Sequence, residues 1–501
     1  LDTVLNDYLI NSLLLLLGVG TGVILLGVPT AWLTSMCSFP GRRWLSWALL
    51  LPLAMPAYII AYTYSGLLDF AGPVQTWIRD LTGLSYGAYW FFEIRSLGGA
   101  IIMMSLVLYP YVYLLARAAF LEQSVSSIEV GCSLGYSRWQ ALWKLALPMA
   151  RPAIIAGLSL ALMETLADYG TVQYYGVSTF TTGIFRTFYG YGDTAAAAQL
   201  AASLLAFVIL LVLLERYSRR RARYHSAAES RARADLIPLS GSKAIMACVI
   251  CLSPLMFGFI IPATQLLLWA VFEAEPLGWD FVGLAWNSFS LAFLAAIIAV
   301  ILAIILSYAK RTKPIKPVRT VLAMAGFGYA LPGTIIAIGV LIPLAWLDHR
   351  LIDIFGSLGW DSPGLLLSGS LVALLFAYTV RFLAVALGSV QSGLEKIKPS
   401  LDHVGRSMGH SPLDILRKIH VPLMRSSILT AVLIVFVDVL KELPATLILR
   451  PFNFNTMAVR AYELASDERL VDAAPASIMI VLVGLIPVLM LHASIARRRP
   501  H

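Results

Sequence analysis

Two stretches of this chain place ionisable side chains inside otherwise apolar runs. The first, ALMETLADYGTVQYYG, carries Glu164 and Asp168; the second, VFVDVLKELPATLILRP, carries Asp438, Lys441 and Glu442. One constant offset superposes Glu164 on Asp438 and Asp168 on Glu442. A spacing of four puts each acid pair on one helix face, and the two helices are expected to face each other across a pseudo-twofold axis. A charge at the centre of a bilayer costs roughly 2.5–3.5 kcal/mol on insertion scales. Four acids and one lysine in two helices therefore require compensation or a water-filled path. In the structural reading, Lys441 neutralises Asp438 or Glu442, and the acids anchor neighbouring helices or bind Arg117 or Arg381. In the functional reading, Glu164, Asp168, Tyr169, Asp438, Lys441 and Glu442 line a translocation path. Carboxylates and phenols are hard donors that suit hard cations, and Tyr174 and Tyr175 lie near the first pair. The four acids are thus candidates for transient contact with such a cation, without a fixed metal site.

Each acidic helix is preceded by the same kind of segment. Ser127 to Pro148 reads SIEVGCSLGYSRWQALWKLALP, and Leu401 to Pro422 reads LDHVGRSMGHSPLDILRKIHVP. Gly135 pairs with Gly409, Ser137 with Ser411 and Pro148 with Pro422, without a gap. Glycine suits a corner between two short helices because it reaches conformations closed to other residues. Ser137 and Ser411 are expected N-caps, and Pro412 fits a first helical position. Trp139, Leu142, Trp143 and Ala146 recur at helical spacing in the first copy, as do Leu413, Leu416 and His420 in the second. With Arg138, Lys144, Arg417 and Lys418 on the same pieces, each copy reads as a short amphipathic helix at the membrane surface. An interfacial helix resting on lipid explains one copy. Duplication, each time before a long apolar helix, points instead to a paired docking device.

Composition sets the class. Of 501 residues 59% are hydrophobic and 13% charged, against roughly 25% charged in soluble domains; mean hydropathy is +0.80. Runs of about 20 apolar residues mark membrane helices near 9–34, 46–68, 97–120, 152–175, 194–215, 244–271, 287–309, 319–346, 364–388, 425–449 and 474–495. These eleven spans predict an all-α polytopic membrane protein. Arg42 and Arg43, the basic run from Arg216 to Arg233, Lys310 to Arg319, both repeated loops and Arg497 to Arg499 fall on one side, which the positive-inside rule makes cytoplasmic. The net charge of +9 then faces anionic lipid and a partner protein; no basic soluble domain is present to bind nucleic acid. No GxxxxGK followed by Ser or Thr occurs, so ATP hydrolysis by that route is excluded. Cys248 and Cys251 form a CxxC inside an apolar run and read as two small helix residues.

The chain divides at a polar linker, 216–242, expected to be mobile, into a first half (1–215, docking loop 124–150) and a second half (243–501, docking loop 395–424). PAYIIAY at Pro56 corresponds to PGTIIAI at Pro332, and Asn11-Ser12 to Asn287-Ser288. Because both docking loops are cytoplasmic, the halves form a direct, like-oriented repeat. The first half lacks a counterpart of span 244–271, which predicts a helix preceding Leu1 and twelve in all.

At this point a family resemblance becomes specific. Glu129-Val130-Gly131, then Gly135 and Leu147-Pro148, resembles the EAA loop of ABC importer permeases. The second copy departs from it, with His403-Val404-Gly405 and Val421-Pro422; Asp402 is the acid available in place of His403. The run VDVLKELPATLILRPFNFNTMAVRAYELASDERLVDAAPASIMIVLVGLIP from Val437, with ETLADYGTVQYYGV and RFLAVALGSVQSGL, is similar to the ferric-iron importer permeases of the FbpB/SfuB type. The resemblance covers essentially the whole chain. It implies the MetI-like permease fold in a fused two-half form, with no cofactor in this chain. It also implies two copies of a cytoplasmic ABC ATPase that bind ATP and Mg, and a periplasmic ferric-iron-binding protein. Glu129, Gly135, Arg138, Trp139 and Trp143, with Asp402, His403, Gly409, Leu413 and Arg417, would then form the two coupling helices. A fused permease for thiamine or another small organic solute is the first alternative. An ion-gradient-driven secondary transporter is the second, and the direct repeat argues against it because inverted repeats are common there.

Overall fold

The computed structural model describes residues 4–85, 88–133, 135–137, 140, 142–220, 236–276, 278–313, 315–362 and 364–497. Helix dominates because a lipid-facing segment must satisfy its own backbone hydrogen bonds. Among the described residues nine helices are long and apolar enough to cross a membrane, or eleven when each of two bent pairs counts as one span. The membrane elements of the first half are α1 (Val4–Met36), α2 (Ala57–Leu68), α3 (Leu97–Ser133), α4 (Leu147–Ala167) and α5 (Thr194–Arg220). Those of the second are α6 (Ser242–Glu273), α7 (Trp279–Thr312), α8 (Gly333–Ser357), α9 (Leu371–Glu395), α10 (Arg425–Leu440) and α11 (Leu470–Arg497).

Four of the expected spans are interrupted, among them 319–346, where residues 326–332 separate the helix Lys316–Ala325 from α8. The element 42–54 meets 57–82 at 92°, and 412–423 meets α10 at 77°. α4 stops at Ala167 and α10 at Leu440, short of the expected ends at 175 and 449. After α10 comes Pro444, which cannot donate to a continuing helix; after α4 comes Gly170, whose place in a tight crossing is described below.

The halves share one packing plan. α1 packs on α3 and α3 on α4; likewise α7 packs on α9 and α9 on α10. The last element of each half crosses to the other: α5 lies against α8, and α11 against α2. The serines of the repeated Asn-Ser pairs do the same work at both places. Ser12 Oγ accepts from the Phe180 N–H at 3.5 Å and Ser288 Oγ from the Met457 N–H at 2.8 Å. In each case the donor opens a short helix capped by Thr179 or Thr456. Small residues allow close crossings; a Cβ on Gly157 of α4 would sit 2.7 Å from the Val112 Cα of α3.

Most of the interhalf linker, residues 221–235, lies outside the described residues. Its end is held. Ile237–Pro238 pairs in parallel with Cys37–Ser38, and the Leu239 N–H donates to Ser38 O at 3.0 Å. The expectation of a mobile linker is therefore corrected at its end, where a short backbone ladder docks Ile237–Pro238 on the first half.

Candidate translocation path and coupling loops

The breaks at the ends of α4 and α10 decide where the acids go. Asp168 follows α4 with extended backbone (φ −69°, ψ 136°). Its carboxylate accepts from the Thr171 N–H (3.0 Å), Thr171 Oγ1 (2.9 Å) and the Val172 N–H (3.2 Å). It thereby caps the short helix Gly170–Tyr174. Glu442 repeats this on Pro444–Leu449, accepting from the Ala445 N–H (2.9 Å), the Thr446 N–H (3.0 Å) and Thr446 Oγ1 (2.6 Å). The unpaired N–H groups that open a helix attract such a carboxylate. Asp168 and Glu442 therefore do not continue the helical faces of Glu164 and Asp438, as the spacing of four predicts. They sit past the helix ends.

The six path residues nevertheless converge. Glu164, Asp168, Tyr169, Asp438, Lys441 and Glu442 line one cavity of about 120 Å³ between the halves. Tyr58, Tyr111, Tyr329 and Arg381 complete its polar lining; among so many tyrosines in apolar runs, nothing in the sequence singled out these three. Lys441 Nζ lies 3.0 Å from Asp438 Oδ1. Arg381 Nη1 donates to Glu442 Oε1 at 3.0 Å, with both side chains almost fully buried. Arg117 is not part of the lining. Tyr169 stacks on Phe185 with ring centroids 3.6 Å apart, while Tyr175 turns away and donates to Ala61 O at 2.9 Å. Among the described residues no three His, Cys, Asp or Glu side chains form a metal cage. Glycines keep the packing here close, and Gly170 does so across the halves, against Leu443. A Cβ on Gly170 would lie 2.6 Å from the Tyr58 Cβ and 2.9 Å from Leu443 Cδ2, and one on Gly333 would lie 2.6 Å from Glu442 Oε1.

Toward the outer end, Arg95 of the first half bridges Asp69 at 2.7 Å and Glu468 of the second half at 2.6 Å. Its guanidinium holds the Glu468 carboxyl below the usual range and lies 5.1 Å from the Tyr174 ring centroid. Sequence reading missed this cross-half bridge, since its partners are far apart in the chain.

At the opposite end, both repeated loops turn at their glycines. Gly135 has φ +88° and Gly409 φ +81°, the left-handed region that favours glycine. Ser137 Oγ accepts from the Gln140 N–H (3.2 Å), and Ser411 Oγ from the Asp414 N–H (3.2 Å). Trp143 and Leu413 are exposed, as are His403 and Arg417. Arg138, Trp139 and the Glu129 side chain lie outside the described residues. Asp402 faces inward. Arg311 at the end of α7 pairs with it at 2.7 Å, His420 Nε2 lies 2.7 Å from its Oδ1, and its side chain is 16% exposed. The expectation that Asp402 stands in for the missing carboxylate of His403 on a docking surface is corrected accordingly, because both its oxygens are engaged internally.

Comparison with known proteins agrees with this architecture. Residues 20–224 match the family described as binding-protein-dependent transport system inner membrane component. The chain is 26% identical over 490 residues to the Fe(3+)-transport system permease protein FbpB 2 of Haemophilus influenzae, covering 97% of this chain and 89% of that protein. The molybdenum transport system permease protein ModB of Escherichia coli K12 is 26% identical over 233 residues, 44% of this chain but 99% of its own length. The sulfate transport system permease protein CysT of Escherichia coli K12 is 26% identical over 204 residues, 39% of this chain and 71% of that protein. A relative whose whole length spans less than half of this chain is what a fusion of two repeats entails. The chain is thus similar over nearly its whole length to the inner-membrane permeases of binding-protein-dependent transport systems, and it is a multi-pass membrane protein in the fused two-half form that the ferric-iron permease represents.

Proposed function

We propose that the chain is the membrane subunit of an ATP-driven importer for ferric iron. The observation that carries this reading is the charge of the cavity: four carboxylates face two basic groups, Lys441 and Arg381, leaving two more negative than positive charges. In a low-dielectric enclosure such an excess favours a cation and opposes an oxyanion. Among the relatives, the ferric-iron permease therefore fits this path better than the molybdenum and sulfate permeases do. Phenols add hard oxygen donors, and the division of the acids between helix caps and ion pairs suits passage rather than capture.

Two copies of a cytoplasmic ATPase would engage the corners at Gly135 and Gly409, and a periplasmic iron-binding protein would deliver cargo at the outer end. Closure of the ATPase dimer would draw the corners together. α4 and α10 run from these loops to the breaks at Asp168 and Lys441, so a movement of either loop reaches the path through one rigid helix. ATP and Mg belong to the ATPase, and this chain would make or break no covalent bond in the cargo.

The test is uptake by the reconstituted complex of ferric iron, molybdate, sulfate and thiamine, each with its own binding protein. Iron uptake that depends on ATP is the expected result. Uptake of thiamine alone would transfer the assignment to an organic cation, for which the tyrosine walls of the cavity provide a rationale. Iron uptake by the purified chain without any ATPase would instead favour a secondary transporter.

A further inference from the structure

The carboxylates of the cavity are unequally engaged. Glu442 is enclosed with Arg381 and three donors of its own short helix, and Asp168 is held by Thr171 and Val172. Asp438 has Lys441. Among the described residues Glu164 makes no hydrogen bond or ion pair, yet it lines the same cavity and acts electrostatically on the Lys441 ammonium.

The two cations differ as much. Arg381 is 10% exposed at its side chain and is packed against Gly333, where a Cβ would strike the pair. Lys441 keeps 31% of its side chain open, toward the cavity. It stands just past the end of α10, on the break itself. A lysine there is a compact charge on a flexible four-carbon stem, able to move between acceptors in a way that a planar, multiply bonded guanidinium is not. In the first half the matching position is Ala167.

We propose that Lys441 is a tethered place-holder for the cationic cargo. In the empty path its ammonium occupies Asp438; arriving cargo displaces it toward Glu164, and its return to Asp438 drives the cargo on. Conduction needs binding strong enough to admit an ion and weak enough to release it. Without an internal competitor, four acids against Arg381 alone would hold a multivalent cation. The inference rests on the reading that the path carries a cation.

The test uses the whole complex, with ATPase and binding protein, in proteoliposomes and in detergent, with ferric iron supplied on the binding protein. Wild-type uptake reads the cargo assignment; the variants read the lysine. Lys441→Met is expected to lower uptake at least tenfold and to leave about one iron on the detergent-purified complex after gel filtration, where the wild type leaves none. Lys441→Arg keeps the charge and is expected to retain no iron. The double variant Lys441→Met/Asp438→Asn, which restores the wild-type excess of negative charge, is expected to release the iron and recover uptake to within threefold. Wild-type uptake in Lys441→Met, or lost uptake with no retained iron and no recovery in the double variant, would overturn the proposal. If Lys441→Met is not recovered folded, iron retained by Lys441→Arg, or a double variant that folds without uptake, would overturn it too. Should the wild type prove to carry another cation, the same retention assay with that cation decides the matter independently of iron.

Discussion

The two halves share a backbone plan and differ in their charges. Asp168 and Glu442 cap equivalent short helices with equivalent hydrogen bonds, but only Glu442 also has a buried guanidinium. The first-half counterpart of Arg381 is Val107, and that of Lys441 is Ala167. At the loops, Arg311, Asp402 and His420 tie the second-half corner to α7, where the first half has Ser35, Ile128 and Ala146. The fold thus needs a carboxylate at each break, because each break exposes helix-opening N–H groups. It does not need the cations, since one half closes without them. The cations belong to what distinguishes the halves: they set the net charge of the cavity, and Arg311 ties the second loop to α7.

The sharpest way to break this comparison is to remove one buried partner. Stranding a charge by breaking a buried ion pair costs about 3–5 kcal/mol, so Arg381→Met should lower the thermal midpoint of the purified permease strongly. Asp168→Ala removes a helix cap without stranding a cation, a change of about 1 kcal/mol. Equal shifts for the two variants would mean that the Arg381–Glu442 pair adds nothing to the second half beyond the cap.

Next in size come the corners. A β-branched residue at φ +88° or +81° carries left-handed strain of about 1–2 kcal/mol, and among the described residues nothing lies within 4 Å of an added Cβ at either glycine. Gly135→Val and Gly409→Val should therefore fold, hydrolyse ATP and transport at least tenfold more slowly. Normal transport in both would remove the corners from the coupling path. A larger defect at Gly135 than at Gly409 would show that the tie to α7 protects the second loop.

How much of this was legible in the sequence follows from what repeats reveal. Equal spacing located both glycine corners, both serine caps and the acids that line the cavity, because a duplicated local pattern survives without any knowledge of tertiary contacts. Helix continuity was misjudged at Asp168 and Glu442 because i,i+4 spacing says nothing of where a helix ends, although Pro444 marked the second break. Arg381 was visible as a candidate partner, but its choice of Glu442 depends on the close approach at Gly333. Asp402 was legible only as the acid next to His403; that it faces inward depends on Arg311 and His420, whose approach the local sequence does not reveal. Tyr58, Tyr111 and Tyr329 carried no signal, one period of tyrosine being much like another in apolar helices.

A smaller effect tests the bracing of the second loop. Asp402→Asn keeps the shape but removes the charge that Arg311 and His420 share. Transport should fall two- to fivefold with the membrane fold unchanged, measured as uptake per ATP hydrolysed. An unchanged ratio would make the tie a matter of stability alone.

The smallest predicted effect is one of pH. Burial pushes the His420 imidazole below its ordinary value; Asp402 opposes this, and Arg311 adds to it. The Tyr308 ring covers the same imidazole at 5.4 Å between centroids, so the neutral form is the one the packing accepts. An unfolded chain then binds a proton at His420 more readily than the folded one. The stability contributed by this site is fully present above the ordinary histidine range of about 6.5, and it is lost as pH falls through the lowered folded value. The thermal midpoint of the wild type should therefore drop between pH 7.5 and mildly acidic pH by more than that of His420→Gln. Parallel curves for the two proteins would mean that Arg311 alone fixes Asp402, and that the second loop is not braced through a titrating group.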